Sequence, residues 1–305
     1  MDEVTKDEMP VSTSALTLAS ASARTPRVII QPTRGLLRID WRGLVEYRDL
    51  LLLLVRRDFL SKYKQSILGP AWFVIQPLLT TIVFTVIFGN VAKLPSDGMP
   101  KMLFYLCALV PWNYFAANLN STSTTFTSNM GLFGKVYFPR LIIPLSVIVS
   151  NLITFAIQLL TFLGFFVYFK FFTVAGSLIR PSLELALMPL LLLQIAALSL
   201  GFGLLFTSLT VKYRDLAYAM GFLVQLWMYA TPVVYPLSMI SATKWRIVAS
   251  INPMTAVVES FKHAFLGVGT VDIRYTAMSV GITLGVLFLG LVLFSRAERT
   301  FVDTV

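Results

Sequence analysis

The stretch LIIPLSVIVSNLITFAIQLLTFLGFFVYF, residues 141–169, holds no charged side chain and is bounded by Arg140 and Lys170. Crossing a bilayer as a helix takes about 20 predominantly apolar residues, so this run is long enough. The rest of the chain reads the same way. Of 305 residues, 56% are hydrophobic and 13% charged, and the mean hydropathy is +0.76. A soluble domain carries about 25% charged residues. The composition excludes disorder, a disulfide scaffold and almost any soluble enzyme, and makes lipid the main solvent.

Working outward from that run, six membrane segments emerge, at about 71–91, 102–128, 141–169, 183–210, 216–235 and 275–294. Long apolar runs dominate and strand-period alternation is absent, so the expected class is an all-α integral membrane protein. Lys and Arg fix the orientation. Seventeen fall in residues 1–68, the loops 129–140 and 211–215, and the tail, against 8 in the opposite loops. The richer side is cytoplasmic, which places both termini inside. The net charge of +10 then marks cytoplasmic flanks and calls for no nucleic acid partner.

Residues 1–45 read as a cytoplasmic extension, partly disordered, and 46–300 as the membrane domain. The first residues are acidic (Asp2, Glu3, Asp7, Glu8) and 11–25 are rich in Ser, Thr and Ala, unlike a secretory signal. From Tyr47 to Leu68, apolar and charged residues alternate at near-helical spacing. That pattern predicts an amphipathic helix at the membrane surface, or one packed on a partner. Ile251–Leu266 is apolar but broken by Glu259, Lys262 and His263, too short and too charged to cross. Asn252-Pro253 sets a helix start there. A re-entrant or interfacial helix on the outer face fits.

Several chemistries have no residues to carry them. The single cysteine, Cys107, forms no intrachain disulfide, and the single histidine, His263, has no Cys or carboxylate cluster for a metal site. No ionisable residue lies near the middle of a span, and Glu184 sits at the outer edge of the fourth. This opposes an ion-coupled carrier or a channel lined by charged rings. No GxxxxGK[ST] phosphate loop exists, since Gly131–Lys135 has the wrong spacing. The chain is therefore not itself an enzyme, and energy must come from another chain.

The spans do hold uncharged polarity and aromatic rings. The second carries Trp112, Tyr114, Phe115, Asn118 and Asn120, then a Ser/Thr run; the fifth carries Gln225, Trp227, Tyr229 and Tyr235. Rings that stack on apolar C–H faces, with amides that bond hydroxyls, suit a sugar. The alternatives are an interfacial aromatic belt and interhelical packing. Arg56, Arg57, Lys62 and Lys64 would meet a carrier pyrophosphate, anionic lipid or an ATPase.

Four segments carry a family likeness. They are Arg57-Asp58-Phe59 through Tyr63-Lys64-Gln65-Ser66-Ile67-Leu68-Gly69 with Ala71-Trp72 and Gln76-Pro77; Gly131-Leu132 through Lys135-Val136-Tyr137-Phe138-Pro139-Arg140; Tyr213-Arg214-Asp215-Leu216; and Tyr235-Pro236 with Asn252-Pro253-Met254. Over roughly 45–300 the chain resembles the membrane (permease) subunit of a type-2 ATP-binding-cassette exporter of the O-antigen, capsule and teichoic-acid polysaccharide class. The resemblance implies a homodimer of six-span subunits in a bacterial inner membrane, with two copies of an ATPase subunit that bind ATP and Mg. It implies that Leu50–Ser66 lies at the membrane surface beside the ATPase. Arg57, Asp58, Tyr63, Lys64, Lys135, Arg140, Tyr213, Arg214 and Asp215 would form the coupling face. Asn252 and Pro253 would begin a periplasmic re-entrant hairpin near the channel exit. The cargo would be a lipid-linked polysaccharide gliding on the aromatics. Rival readings are a type-2 exporter of drugs or lipids, a stand-alone channel or carrier, and a membrane-embedded glycosyltransferase. For the last, the inner carboxylates Asp49, Asp58 and Asp215 each sit beside an arginine and read as structural partners.

Overall fold

In the computed structural model, residues 41–61, 67–133, 138–213, 215–240 and 243–302 are described. Among them every regular element is helical. The elements are α1 Trp41–Glu46, α2 Arg48–Ser61, α3 Trp72–Phe84, α4 Lys101–Ser123, α5 Thr125–Ser128, α6 Met130–Phe133, α7 Ile142–Phe172, α8 Met188–Thr210, α9 Asp215–Ala230, α10 Thr243–Ile251, α11 Pro253–Leu266 and α12 Ile273–Val302. Five stretches are long and apolar enough to cross a membrane: Gly69–Val91, Lys101–Ser123, Ile142–Phe172, Leu183–Thr210 and Ile273–Glu298. They coincide with five of the six expected segments.

Two boundaries differ from expectation. The second segment stops at Ser123 instead of continuing to 128. There the hydroxyls of Ser123, Thr124, Thr125 and Thr127 each donate to the carbonyl three residues earlier. Such local bonds offer the backbone an alternative to the helical ladder. The fifth segment, expected over 216–235, is a 16-residue helix that ends at Ala230. Pro232 lacks an N–H and disfavours a helical residue before it, so the helix cannot run through Thr231-Pro232. At 1.5 Å per residue α9 is about 24 Å long, short of a core about 30 Å thick.

The hub of the bundle is α4. Its apolar window is 78% buried, whereas the other four spanning stretches bury 17–28% and turn most of their surface outward. That outward surface is apolar, as with Leu79, Ile82 and Val86 on the α3 stretch and Leu190 and Leu193 on α8. Lipid-facing helices look like this, because hydrocarbon gives no reason to hide leucine. Helices α8 and α12 cross at glycines: a Cβ built on Gly290 would sit 2.3 Å from the Gly201 carbonyl oxygen. Small residues at such a crossing let two backbones touch.

Helix α2 covers the first part, up to Ser61, of the stretch expected to be an amphipathic surface helix. Leu54 and Val55 are buried, and Leu54 packs with Phe138, Ile142 and Ile143 at the start of α7, while Leu52, Leu53 and Leu60 are exposed. The remainder of the expected helix, 62–66, and the extension 1–40 lie outside the described residues. Helix α11, expected as a re-entrant or interfacial piece, is buried on nearly all sides, Glu259 and Lys262 included.

Candidate functional site

Three places hold the residues singled out in the sequence. The first is the polar face of α4. Trp112, Tyr114, Phe115 and Asn118 are buried inside the subunit, and Asn120 is half-buried. Three bonds from this face reach α7: the Asn113 amide donates to Gln158 Oε1 at 3.2 Å, Tyr114 donates to the Ile148 carbonyl at 3.2 Å, and Asn151 Nδ2 donates to Asn118 Oδ1 at 2.9 Å. Buried amides need such partners, because an unpaired one costs about 1–3 kcal/mol. These bonds join α4 to α7 within the subunit.

The second place is α9 and the hairpin after it. Tyr218, Phe222, Gln225, Leu226 and Tyr229 recur at helical spacing on one exposed face. Trp227 turns the other way. Its ring meets Phe115 and Phe202 edge-on at 5.1 and 4.9 Å, and its Nε1–H donates to Asn252 Oδ1 at 3.0 Å. Asn252 is the N-cap of α11. Its Oδ1 also accepts the Met254 N–H at 3.1 Å, while Nδ2 donates to the Thr231 hydroxyl at 2.8 Å. Pro253 follows at the first helical position, where its missing N–H costs nothing. One amide thus fastens the end of α9 to the start of α11. Trp227, Tyr235 and Asn252 come together with Met239 and Trp245 along an open cleft of about 650 Å³. Trp245 was not singled out from the sequence. Its signal was an aromatic residue between Lys244 and Arg246 in a short amphipathic run.

The third place is the end of the bundle where α2, the 138–141 segment and the last turns of α12 meet. Arg57 binds Asp58 through Nε and Nη2 at 2.9 and 2.8 Å, so that carboxylate has an arginine partner, as the sequence suggested. Arg140 reaches across to α12: Nη1 donates to the Glu298 carbonyl at 3.0 Å, and Nε lies 3.9 Å from its carboxylate. Its side chain is only 12% exposed, so it braces the 138–141 segment against α12. Glu298 went unnoticed in the sequence because nothing local links it to Arg140, 158 positions away. Tyr213 is exposed, with the Lys212 ammonium 5.2 Å from its ring centre, and Asp215 opens α9 where a helix favours negative charge. Tyr63, Lys64, Lys135 and Arg214 lie outside the described residues.

The arrangement has apolar crossings, amides turned inward, an aromatic-lined hairpin at one end and basic segments gathered at the other. Comparison with known proteins bears on what such a subunit is. A profile described as ABC-2 type transporter matches residues 49–266. The chain is 27% identical over 267 residues to the O-antigen export system permease protein RfbA of Myxococcus xanthus, covering 87% of this chain and 98% of that one. It is also 27% identical over 256 residues to a Klebsiella pneumoniae protein of the same name, covering 84% and 94%. The profile takes in every element from α2 to α11, the buried α4 hub and the Asn252 cap among them, and on that breadth of match this chain belongs to the ABC-2 type transporter family.

Proposed function

We propose that this chain is the membrane-crossing subunit of an ATP-driven exporter that moves a lipid-linked, O-antigen-like polysaccharide out across the bacterial inner membrane. The observation that carries this reading is the nearly full-length similarity to two permeases named for O-antigen export. In the working complex two copies of the chain pair with two ATPase subunits, which bind ATP and Mg. Helix α9 and residues 231–236 together make the sixth passage, and both termini face the cytoplasm.

The geometry supports this reading in three ways. The spanning stretches offer no ion relay, which fits transport driven from outside the chain. The basic end carries exposed Arg56, Arg57 and Tyr213 beside the braced Arg140, a surface able to meet a soluble ATPase. The exposed Tyr218, Gln225 and Tyr229 on α9 would stand at the passage between copies, where rings and an amide favour weak, repeated sugar contact. ATP-driven closure of the ATPases would push the basic end and part the α9 faces.

The test is co-purification of the chain with a candidate ATP-binding-cassette ATPase from the same genome. ATP turnover and glycan display on cells are then measured for the wild type, Asp58→Ala and Arg214→Ala. A stable complex with altered turnover in both variants, and display that requires this chain, is the expected result. A chain that binds no ATPase, or transports by itself, refutes the reading.

A further inference from the structure

Glu259 and Lys262 form an ion pair at 3.2 Å on one face of α11, with side chains 2% and 1% exposed. Two charges out of water cost several kcal/mol each unless every bonding position is used. Here they are used by segments far apart in the sequence. The Lys262 ammonium donates to the Pro232 carbonyl in the buried turn after α9, and lies 4.1 Å from the centre of the Phe104 ring on α4. Glu259 Oε2 accepts the Thr270 N–H at 2.9 Å and its hydroxyl at 3.4 Å, from the turn leading into α12. That turn reaches the carboxylate because Gly269 takes φ 116°, where a Cβ would stand 2.8 Å from the Glu259 carbonyl oxygen.

The turn at 231–236 explains why a charge is needed. Thr231, Val233 and Val234 are buried, so the irregular backbone there is shut away from water. Such carbonyls need a donor: the Val233 N–H serves Thr231, and the Lys262 ammonium serves Pro232. At the far end of α11, the N–H groups of Arg180 and Ser182 satisfy the Leu266 and Ala264 carbonyls at 3.3 and 3.0 Å.

We propose that Glu259 and Lys262 are positioning residues of the export pathway: their buried pair pins the turn 231–236, helix α11 and the turn 267–272 into one block that moves as a unit. The proposal rests on the transporter reading given above. In it the pair touches no cargo; it transmits displacement of α9 to the start of α12.

The test uses the full chain with its ATPase in lipid nanodiscs. Hydrogen exchange and ATP turnover are measured on that complex, and glycan display on cells, for Glu259→Gln, Lys262→Met, the double variant, and Ser238→Ala, which removes only the exposed link from Ser238 to Asp97. Each single change at the pair should speed exchange at both 231–235 and 267–272 by about tenfold or more, the size of one lost charged hydrogen bond. Ser238→Ala should affect only its own surroundings. The variant complexes should still bind the ATPase and turn over ATP, while glycan display falls. Should the single variants not fold, the double variant, which leaves no lone buried charge, decides by the same display readout. Lys262→Met loosening 231–235 alone, or display unchanged with both turns loosened, overturns the proposal. A wild-type complex that displays no glycan sinks the transporter reading instead, and the exchange arm still decides whether the pin exists.

Discussion

Replacing Gly290 with alanine puts a methyl group where two helix backbones touch. The new Cβ would lie 2.3 Å from the Gly201 carbonyl oxygen, against an ordinary contact starting near 3.4 Å, so α8 and α12 must part by about 1 Å there. The obstacle is backbone, which cannot swing aside like a side chain. Overpacking of this kind costs about 1–3 kcal/mol, and a gap of 0.5–1 Å forfeits about a quarter to a half of each neighbouring dispersion contact. Alanine returns up to about 1 kcal/mol of helix propensity. We take the strain near its upper end, which leaves a net loss of about 2 kcal/mol. The same helix supplies the control. Gly281 and Gly285 have open space where a Cβ would go, so their alanine variants should be neutral or gain up to about 1 kcal/mol. Equilibrium unfolding in mixed micelles with rising SDS, followed by circular dichroism, should separate Gly290→Ala from both controls by about 2–3 kcal/mol. Gly201→Ala, whose Cβ would meet Leu287 backbone at 2.7 Å, should fall with Gly290→Ala. A Gly290→Ala protein as stable as Gly285→Ala would refute the close-crossing argument.

Three further outcomes are expected. Asn151→Leu strands the buried Asn118 carbonyl oxygen, so stability in the same unfolding assay should drop by about 1–3 kcal/mol. The double variant Asn118→Leu/Asn151→Leu should recover part of that loss, since neither amide is then left facing the other's missing partner. Asn252→Ala removes the α11 cap, worth about 1 kcal/mol, and releases Trp227 and Thr231 as well; the indole fluorescence of a variant retaining only Trp227 should shift, and no shift would count against the clasp. Arg140→Ala frees the 138–141 segment from Glu298, so proteolysis near residue 140 should accelerate while the apolar bundle stays protected.

Five of the six expected segments lie where the apolar runs put them, because lipid demands that each spanning stretch satisfy its own backbone and hide nothing apolar. At 216–235 the helix is shorter than expected, because Thr231-Pro232 stops α9. The residues were visible, but composition outweighed the proline in the reading. Asn252-Pro253 was legible as a helix start, since a cap followed by proline is a local signal. What the Asn252 side chain binds was not, since Trp227 is 25 positions away.

By itself, the sequence determined that this protein lives in lipid, where most of its helices run, and which chain stretches carry the family pattern. Those properties follow from hydropathy and short-range order, which need no partner. Only the tertiary structure decided that α4 is the buried hub, that Asn118 is spent on Asn151, and that Arg140 braces α12. It also turned Glu259 and Lys262 from interruptions in an apolar run into a buried ion pair on α11. A charge in an apolar stretch reads as a reason to stay near water; whether it can be buried depends on donors and acceptors from segments that only folding brings within about 3 Å.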